Sequence, residues 1–306
     1  MPCRCSRATR DGDYIPLMSK LHSGAQLRAL MERGTVFVPG AFNALVARAV
    51  ARAGFAATYI SGGATANVAG FPDIGLITLS EMCRTIREIS DASGIPVIAD
   101  ADTGYGEIEC CVRTVVEYER AGAAALHLED QVFPKRCGHL DGKDLITAQE
   151  MADKVGAMAK HRLSDDFVII ARTDARHVTS FEDMIARANL YREAGADVIF
   201  PEGLHDADEF ARFMKASRGK TLANMTEFGK TAHLTADDFR ALGCSIVIYP
   251  LSLMRMAMKA VDDGLALLAR DGGFHSSVDR MQTRAQLYEL MAYSPGKPWV
   301  YPANSR

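Results

Sequence analysis

Eight short, β-branched apolar runs, each followed by a segment of helical period, predict an α/β chain folded as a (β/α)8 barrel of the TIM type with an additional C-terminal helical segment. Three observations carry this. The runs are almost continuously apolar, as parallel strands covered by helices must be. Four helical segments stop at a glycine just ahead of the next run, in Arg52-Ala53-Gly54, Arg120-Ala121-Gly122, Glu193-Ala194-Gly195 and Ala241-Leu242-Gly243. Eight such units fill a chain of 306 residues, and the alternative of a doubly wound nucleotide-binding sheet lacks its glycine fingerprint, since Phe37-Val38-Pro39-Gly40-Ala41-Phe42 holds one glycine.

The strands are predicted at residues 35–38, 58–61, 97–100, 125–129, 167–172, 198–201, 221–224 and 245–249. The first stops at Pro39-Gly40 and the second runs into Ser61-Gly62-Gly63. The third and fourth end in carboxylates, Asp100 and Glu129. The fifth ends at Arg172, the sixth at Pro201-Glu202, the seventh at Asn224, and the eighth at Tyr249-Pro250. After the last strand a long helix breaks at Asp271-Gly272-Gly273, and residues 276–291 read as a further amphipathic helix carrying Arg284. Residues 1–19, basic, cysteine-bearing and aperiodic up to Leu17, read as a disordered leader or an over-called start, with Met18-Ser19-Lys20 as the alternative start. Asp11 and Asp13 argue against a mitochondrial targeting peptide, and residues 20–306 read as one barrel domain that includes the C-terminal helices.

Composition narrows the function. A net charge of -3 leaves no electrostatic footprint for nucleic acid, and no apolar run reaches the length of a membrane span. Seven scattered cysteines without a secretory signal point to a reducing cytoplasm rather than a disulfide framework. Small-molecule chemistry follows.

In a parallel barrel the strand ends share one mouth, the face where barrel enzymes place their chemistry. Here that mouth gathers Asp100, Asp102, Glu129, Glu202, Arg172 and Asn224, a cradle for a cation and a carboxylate substrate. A single strand-end carboxylate is often only a helix cap, but with Ser61-Gly62-Gly63 after the second strand six polar strand ends together exceed what capping explains. Asp100 and Asp102, one residue apart, suit a hard ion such as Mg2+ (or Mn2+), which takes few carboxylates and leaves positions for substrate oxygens. Zinc fits worse, because Cys137 and His139 lack a second pair at ligand spacing. The segment 131–143, with Pro134, Gly138 and Gly142, has the composition of a lid. It carries Lys135-Arg136-Cys137-Gly138-His139, in which a thiol among three potential cations loses its proton readily. Arg172, Arg255 and Arg284 are available as carboxylate clamps.

Several motifs together resemble the isocitrate lyase and phosphoenolpyruvate mutase superfamily. They are Ser61-Gly62-Gly63, Pro72-Asp73-Ile74-Gly75, Asp100-Ala101-Asp102-Thr103-Gly104-Tyr105-Gly106, His127-Leu128-Glu129-Asp130-Gln131, Lys135 to His139 and Ala171-Arg172-Thr173-Asp174. The likeness covers residues 27–293. Chain length, Asn224-Met225-Thr226-Glu227-Phe228-Gly229, Tyr249-Pro250-Leu251-Ser252 and Met281-Gln282-Thr283-Arg284 are most similar to its 2-methylisocitrate lyase branch.

The resemblance implies Mg2+-assisted cleavage of a carbon–carbon bond in a 2-hydroxy tricarboxylate, giving pyruvate and succinate in propionate catabolism. It implies Asp100 and Asp102 as metal ligands, and a substrate shell of Ser61, Gly62, Gly63, Cys137, Gly138, Arg172, Glu202, Asn224, Met225, Thr226, Arg255 and Arg284. The two glycines would act through backbone N–H groups. Cys137 would donate a proton to the carbanion, with Lys135, Arg136 and His139 stabilising the thiolate. Tyr59, Glu129 and Glu202 are rivals for the base. A C-terminal helix exchanged between subunits of a homotetramer is implied as well. One departure concerns Leu140-Asp141-Gly142-Lys143, which is less basic than the branch's usual continuation and bears on substrate preference. Cleavage of 2,3-dimethylmalate or isocitrate, or hydrolysis or decarboxylation of oxaloacetate, are the nearest alternatives. A phosphonate mutase and a non-catalytic metabolite-binding barrel are further ones.

Overall fold

The structure is a computed structural model that describes residues 22–136 and 142–299. The predicted leader and three predicted site residues, Cys137, Gly138 and His139, lie outside the described residues.

The eight strands are β1 (Val36–Pro39), β2 (Thr58–Ile60), β3 (Val97–Asp100), β4 (Ala125–Glu129), β5 (Val168–Thr173), β6 (Val198–Pro201), β7 (Lys220–Asn224) and β8 (Ile246–Tyr249). Each lies within one residue of its predicted limits. The hydrogen-bonded order β1-β8-β7-β6-β5-β4-β3-β2 is parallel throughout. A parallel bridge from Gly40 to Tyr59, with Ala41 N–H donating to Tyr59 O at 2.8 Å, joins β1 to β2 and closes the barrel.

The helices are α1 (Ser23–Arg33), α2 (Ala44–Arg52), α3 (Gly62–Val68), α4 (Leu79–Ser93), α5 (Ile108–Arg120), α6 (Ala148–His161), α7 (Phe181–Glu193), α8 (Ala207–Ala216), α9 (Ala236–Leu242), α10 (Ser252–Asp271) and α11 (Arg284–Leu290). Their starts are written locally: Thr78 with Glu81, Thr147 with Glu150, and Thr235 with Asp238 form reciprocal capping boxes at α4, α6 and α9. Their stops follow the glycine signals. Gly122 and Gly243 sit at φ 101° and 78°, conformations that a side chain would strain.

The period of two along each strand divides the core. Odd and even positions feed different clusters: Val38, Ile98, Ala125, Val168, Ile170, Val198, Leu222 and Ile248 fill the barrel, while Val97, Ala99, Leu126, Ile169, Ile199 and Val247 meet the helices. α1 plugs the N-terminal end. Its Leu27 and Met31 join the interior cluster, and Arg28 donates to Asp166 O and Asp197 Oδ1 just ahead of β5 and β6. The other end is left for polar side chains.

The C-terminal region departs from the predicted single helix over 276–291. A short 3-10 segment, His275–Arg280, is followed by extended backbone at Met281, and α11 starts afresh at a Thr283–Gln286 capping box. α10 is amphipathic and twenty residues long, yet none of its residues is buried, and Met256, Val261 and Leu265 are exposed.

Candidate active site

The parity that builds the barrel interior also aims the site. Continuing inward positions along each strand leads from Ile98 to Asp100, from Ala125 to His127 and Glu129, from Ile170 to Arg172 and Asp174, from Phe200 to Glu202, and from Leu222 to Asn224. Tyr59 leads to Ser61 in the same way. These side chains converge at the C-terminal mouth. A cavity of about 260 Å3 opens there, lined among others by Tyr59, Ser61, Gly63, Asp73, Asp100, Glu129, Lys135, Arg172, Asn224, Thr226 and Arg255.

Asp100 and Asp102 sit on a tight turn pinned to β4: Ala101 N–H donates to His127 O at 2.8 Å, and Glu129 N–H to Asp102 O at 2.9 Å. Asp102 takes φ 45°, a left-handed conformation that Asp tolerates better than most residues. Asp100 accepts from Gly62 N–H at 2.9 Å and from Asp102 N–H at 3.0 Å. Gly62 was expected to hold a substrate oxygen through this N–H. In the structure Asp100 Oδ2 accepts from that donor. The glycine is needed for space, since a Cβ there would stand 2.9 Å from Asp100 Oδ2 and 3.1 Å from Asp102 Oδ1.

Burial and the neighbouring Asp100 charge push the Asp102 carboxyl up to about 6. Asp100 itself is held below the usual carboxylate range, because His127, Lys135 and Arg172 outweigh its burial. Lys135 is buried between Asp73 and Asp102, with Nζ 2.7 Å from Asp102 Oδ1. Burial alone would neutralise the amine, but Asp102 and the other surrounding carboxylates keep it charged.

The pair passes a simple test as a seat for a hard divalent ion. Asp100 Oδ2 and Asp102 Oδ1 lie beside the side of Gly62 that lacks a Cβ, 2.9 and 3.1 Å from where one would stand, and Lys135 Nζ, 2.7 Å from Asp102 Oδ1, shows that a positive charge is already held there. Among the described residues, no group of three or more His, Cys, Asp or Glu side chains is disposed as a closed metal shell. Two carboxylates with open positions suit Mg2+ better than zinc.

Opposite stands Arg172. Its guanidinium grips Asp174 with Nε at 2.9 Å and Nη2 at 3.0 Å, reaches Glu129 at 3.2 Å and Glu202 at 3.4 Å, and lies 5.1 Å from the Phe200 ring centre. Burial drives the Glu129 carboxyl well above its ordinary range, against the opposing charges of Arg172 and Lys135. Burial, then Asp100, raises the Tyr59 phenol well above the usual value, and its hydroxyl lies 2.7 Å from His127 Nε2. Asn224 donates to Glu202 at 3.2 Å. Arg255 is oriented by Thr226 Oγ1 at 3.0 Å and Glu227 Oε2 at 2.9 Å, and it faces the cavity rim.

Two expected shell residues are placed elsewhere. Met225 is buried in the strand–helix core rather than on the cavity wall. Arg284 opens α11, exposed and away from the cavity. Three residues given no role by the sequence reading do belong here: His127 beneath Tyr59, Asp73 on Lys135, and Glu227 on Arg255. His127 was reachable from strand parity. The other two contacts depend on loop paths.

A protein-family model described as phosphoenolpyruvate phosphomutase matches residues 27–269. The chain belongs to that family. Within it, the chain is 47% identical to 2-methylisocitrate lyase of Aeropyrum pernix over 88% of this chain and 87% of the relative. It is 36% identical to the crystal structure of 2,3-dimethylmalate lyase, with a TM-score of 0.83 over 89% of this chain and 92% of that one. Phosphonopyruvate hydrolase, solved in complex with oxalate and Mg++, is 31% identical with a TM-score of 0.80, covering 89% of this chain and 95% of that one. These phosphoenolpyruvate phosphomutase family members share the barrel found here.

Proposed function

We propose that this protein is a carbon–carbon lyase that cleaves 2-methylisocitrate to pyruvate and succinate with Mg2+ (or Mn2+) in the cytoplasm. One observation carries the reading. Asp100, which forms a two-carboxylate seat for a hard cation with Asp102, lines the same cavity as the carboxylate receptors Arg172 and Arg255. The similarity to 2-methylisocitrate lyase and 2,3-dimethylmalate lyase supports the same class of reaction. Mg2+ held by Asp100 and Asp102 would supply positive charge for the oxygens of the 2-oxo acid product.

The chain's own groups divide the rest of the work. Arg172 and Arg255, with Thr226, Asn224, Ser61 and Gly63, receive carboxylate oxygens, and Tyr59 donates a hydrogen bond as a neutral phenol. Of the three rivals for the base, Glu202, held by Arg172 at 3.4 Å and Asn224 at 3.2 Å, takes the hydroxyl proton in this reading. The carbon–carbon bond then breaks, its electron pair stays on the succinate fragment, and that carbanion takes a proton from Cys137. Lys135 stabilises the resulting charge; His139 and Gly138 belong to the same segment.

Arg284 and α10 bear on assembly. Among the described residues the apolar face of α10 finds no cover on its own barrel, which supports a homotetramer in which C-terminal helices dock on another subunit and bring Arg284 towards a site. Sedimentation should give a mass near four chains, and Met256→Glu should shift it downward.

The reaction is tested by incubating 2-methylisocitrate with the protein and following pyruvate and succinate by proton NMR, with and without Mg2+. Products should appear only with the cation. Cys137→Ser should lose cleavage while keeping its fold, and near-normal rates in that variant would rule out the thiol as proton donor.

A further inference from the structure

The two ends of the segment between β4 and α6 are zipped together. Val132 N–H donates to Asp144 O at 2.8 Å, Ile146 N–H donates to Asp130 O at 3.0 Å, and Gln131 bridges antiparallel to Leu145. This stem brings Lys143 down into the barrel mouth, where its side chain is 2% exposed against Asp174, itself fully buried. Lys143 Nζ donates to Asp174 Oδ1 at 2.7 Å. Arg172 Nη2 donates to the same oxygen at 3.0 Å, and Arg172 Nε takes Oδ2 at 2.9 Å. Asp174 is fixed from behind, because its N–H donates to Asp130 Oδ1 at 3.0 Å, and Asp130 is in turn held by Tyr191 at 2.8 Å.

One carboxylate therefore serves two cations, and only one of them faces the cavity. Asp174 orients the guanidinium of Arg172, but a full negative charge gripping Arg172 bidentately also offsets its attraction for an incoming anion. Lys143 supplies a second positive charge to that carboxylate without lining the cavity. Arg172 then keeps its fixed orientation while less of its charge is offset by Asp174.

We propose that Lys143 is a positioning residue for Arg172: by sharing Asp174, it sets how strongly Arg172 holds a substrate carboxylate. This deepens the lyase reading and rests on it. Lys143 touches no substrate in this account, so its effect falls on binding more than on the chemical step.

The test uses the full chain with Mg2+ and reads two things: KM and kcat for 2-methylisocitrate, and calorimetric affinity for succinate as a plain dicarboxylate probe. Lys143→Met should raise KM and weaken succinate by roughly tenfold, the scale of one lost buried charge-assisted contact, with kcat changed by less than about threefold. Lys143→Arg restores the charge and should recover most of the affinity. Thermal unfolding of both variants tests their folding; if the Met variant does not fold, Lys143→Gln takes its place. Succinate affinity in folded Lys143→Met equal to wild type overturns the inference, as does a loss confined to kcat. Wild-type protein that neither cleaves 2-methylisocitrate nor binds succinate overturns the lyase reading itself, and this inference with it.

Discussion

Replacing Gly62 with alanine should damage cation binding without unfolding the barrel. Gly62 lies outside the left-handed region, so alanine is acceptable to the backbone, and the whole effect comes from one methyl group. That Cβ would stand 2.9 Å from Asp100 Oδ2 and 3.1 Å from Asp102 Oδ1, where ordinary contact begins at 3.4 Å. Relief requires Asp100 to retreat by about 0.5 Å, whereas a metal site holds its ligand distances to about 0.2 Å. Disturbances of this kind in the surroundings of a metal typically cost about 10–100-fold in affinity, or roughly 1.4–2.7 kcal/mol. The assay is kcat/KM for 2-methylisocitrate across a Mg2+ titration, with a thermal melt as the check on folding. The half-saturating Mg2+ concentration should rise by that factor while the melting temperature moves little. A variant with an unchanged Mg2+ dependence would refute the assignment of Asp100 and Asp102, because the methyl cannot be accommodated without moving them.

Two further outcomes follow from buried titratable groups. Burial alone would raise the Asp174 carboxyl, but Arg172 and then Lys143 outweigh it and hold it down to about 2, against an ordinary 3.8. A depressed folded value means stabilisation that is complete above pH about 3.8 and lost as pH falls through about 2, on the order of 2 kcal/mol in all. The stability gap between wild type and Asp174→Asn in urea should therefore be constant near neutrality and narrow below pH 4; a gap that widens there would contradict the ion-pair account. The second concerns thiols. Burial pushes Cys111 up to about 11 and Cys244 up to about 12, while Cys110 is exposed. Iodoacetamide at pH 8 followed by mass mapping should label Cys110 and spare Cys111 and Cys244 until the protein is unfolded.

The strands were legible because their signal is local. A run such as Val168-Ile169-Ile170-Ala171 admits little besides a buried parallel strand, and the helix stops at Gly122 and Gly243 mark where the next strand must begin. Strand parity carried the polar ends to the mouth for the same reason, which is why Asp100, Glu129, Arg172 and Asn224 meet as expected.

What the sequence hid was three-dimensional competition for the same atoms. The Gly62 N–H is a donor in any reading of Ser61-Gly62-Gly63, but only the folded turn shows Asp100 Oδ2 already accepting from it. Tyr59 and Glu129 are plausible bases by residue type, and only the fold shows the burial that raises both well above their ordinary values. Asp73 meets Lys135 across 62 residues of chain, a contact no spacing rule encodes. The C-terminal helix was overextended because residues 276–291 keep an amphipathic rhythm, while the Thr283–Gln286 capping box that restarts it competes locally and wins.

The central claim is a lyase whose substrate carries a hydroxyl, three carboxylates and a methyl group. The direct measurement is kcat/KM for 2-methylisocitrate, isocitrate, 2,3-dimethylmalate and oxaloacetate, each with Mg2+ and with the cation removed by chelation. One methyl group discriminates by about 1–3 kcal/mol, so 2-methylisocitrate should lead isocitrate by roughly 10–200-fold, with all activity lost on chelation. Preference for oxaloacetate, or cleavage that persists without a divalent cation, would contradict the account.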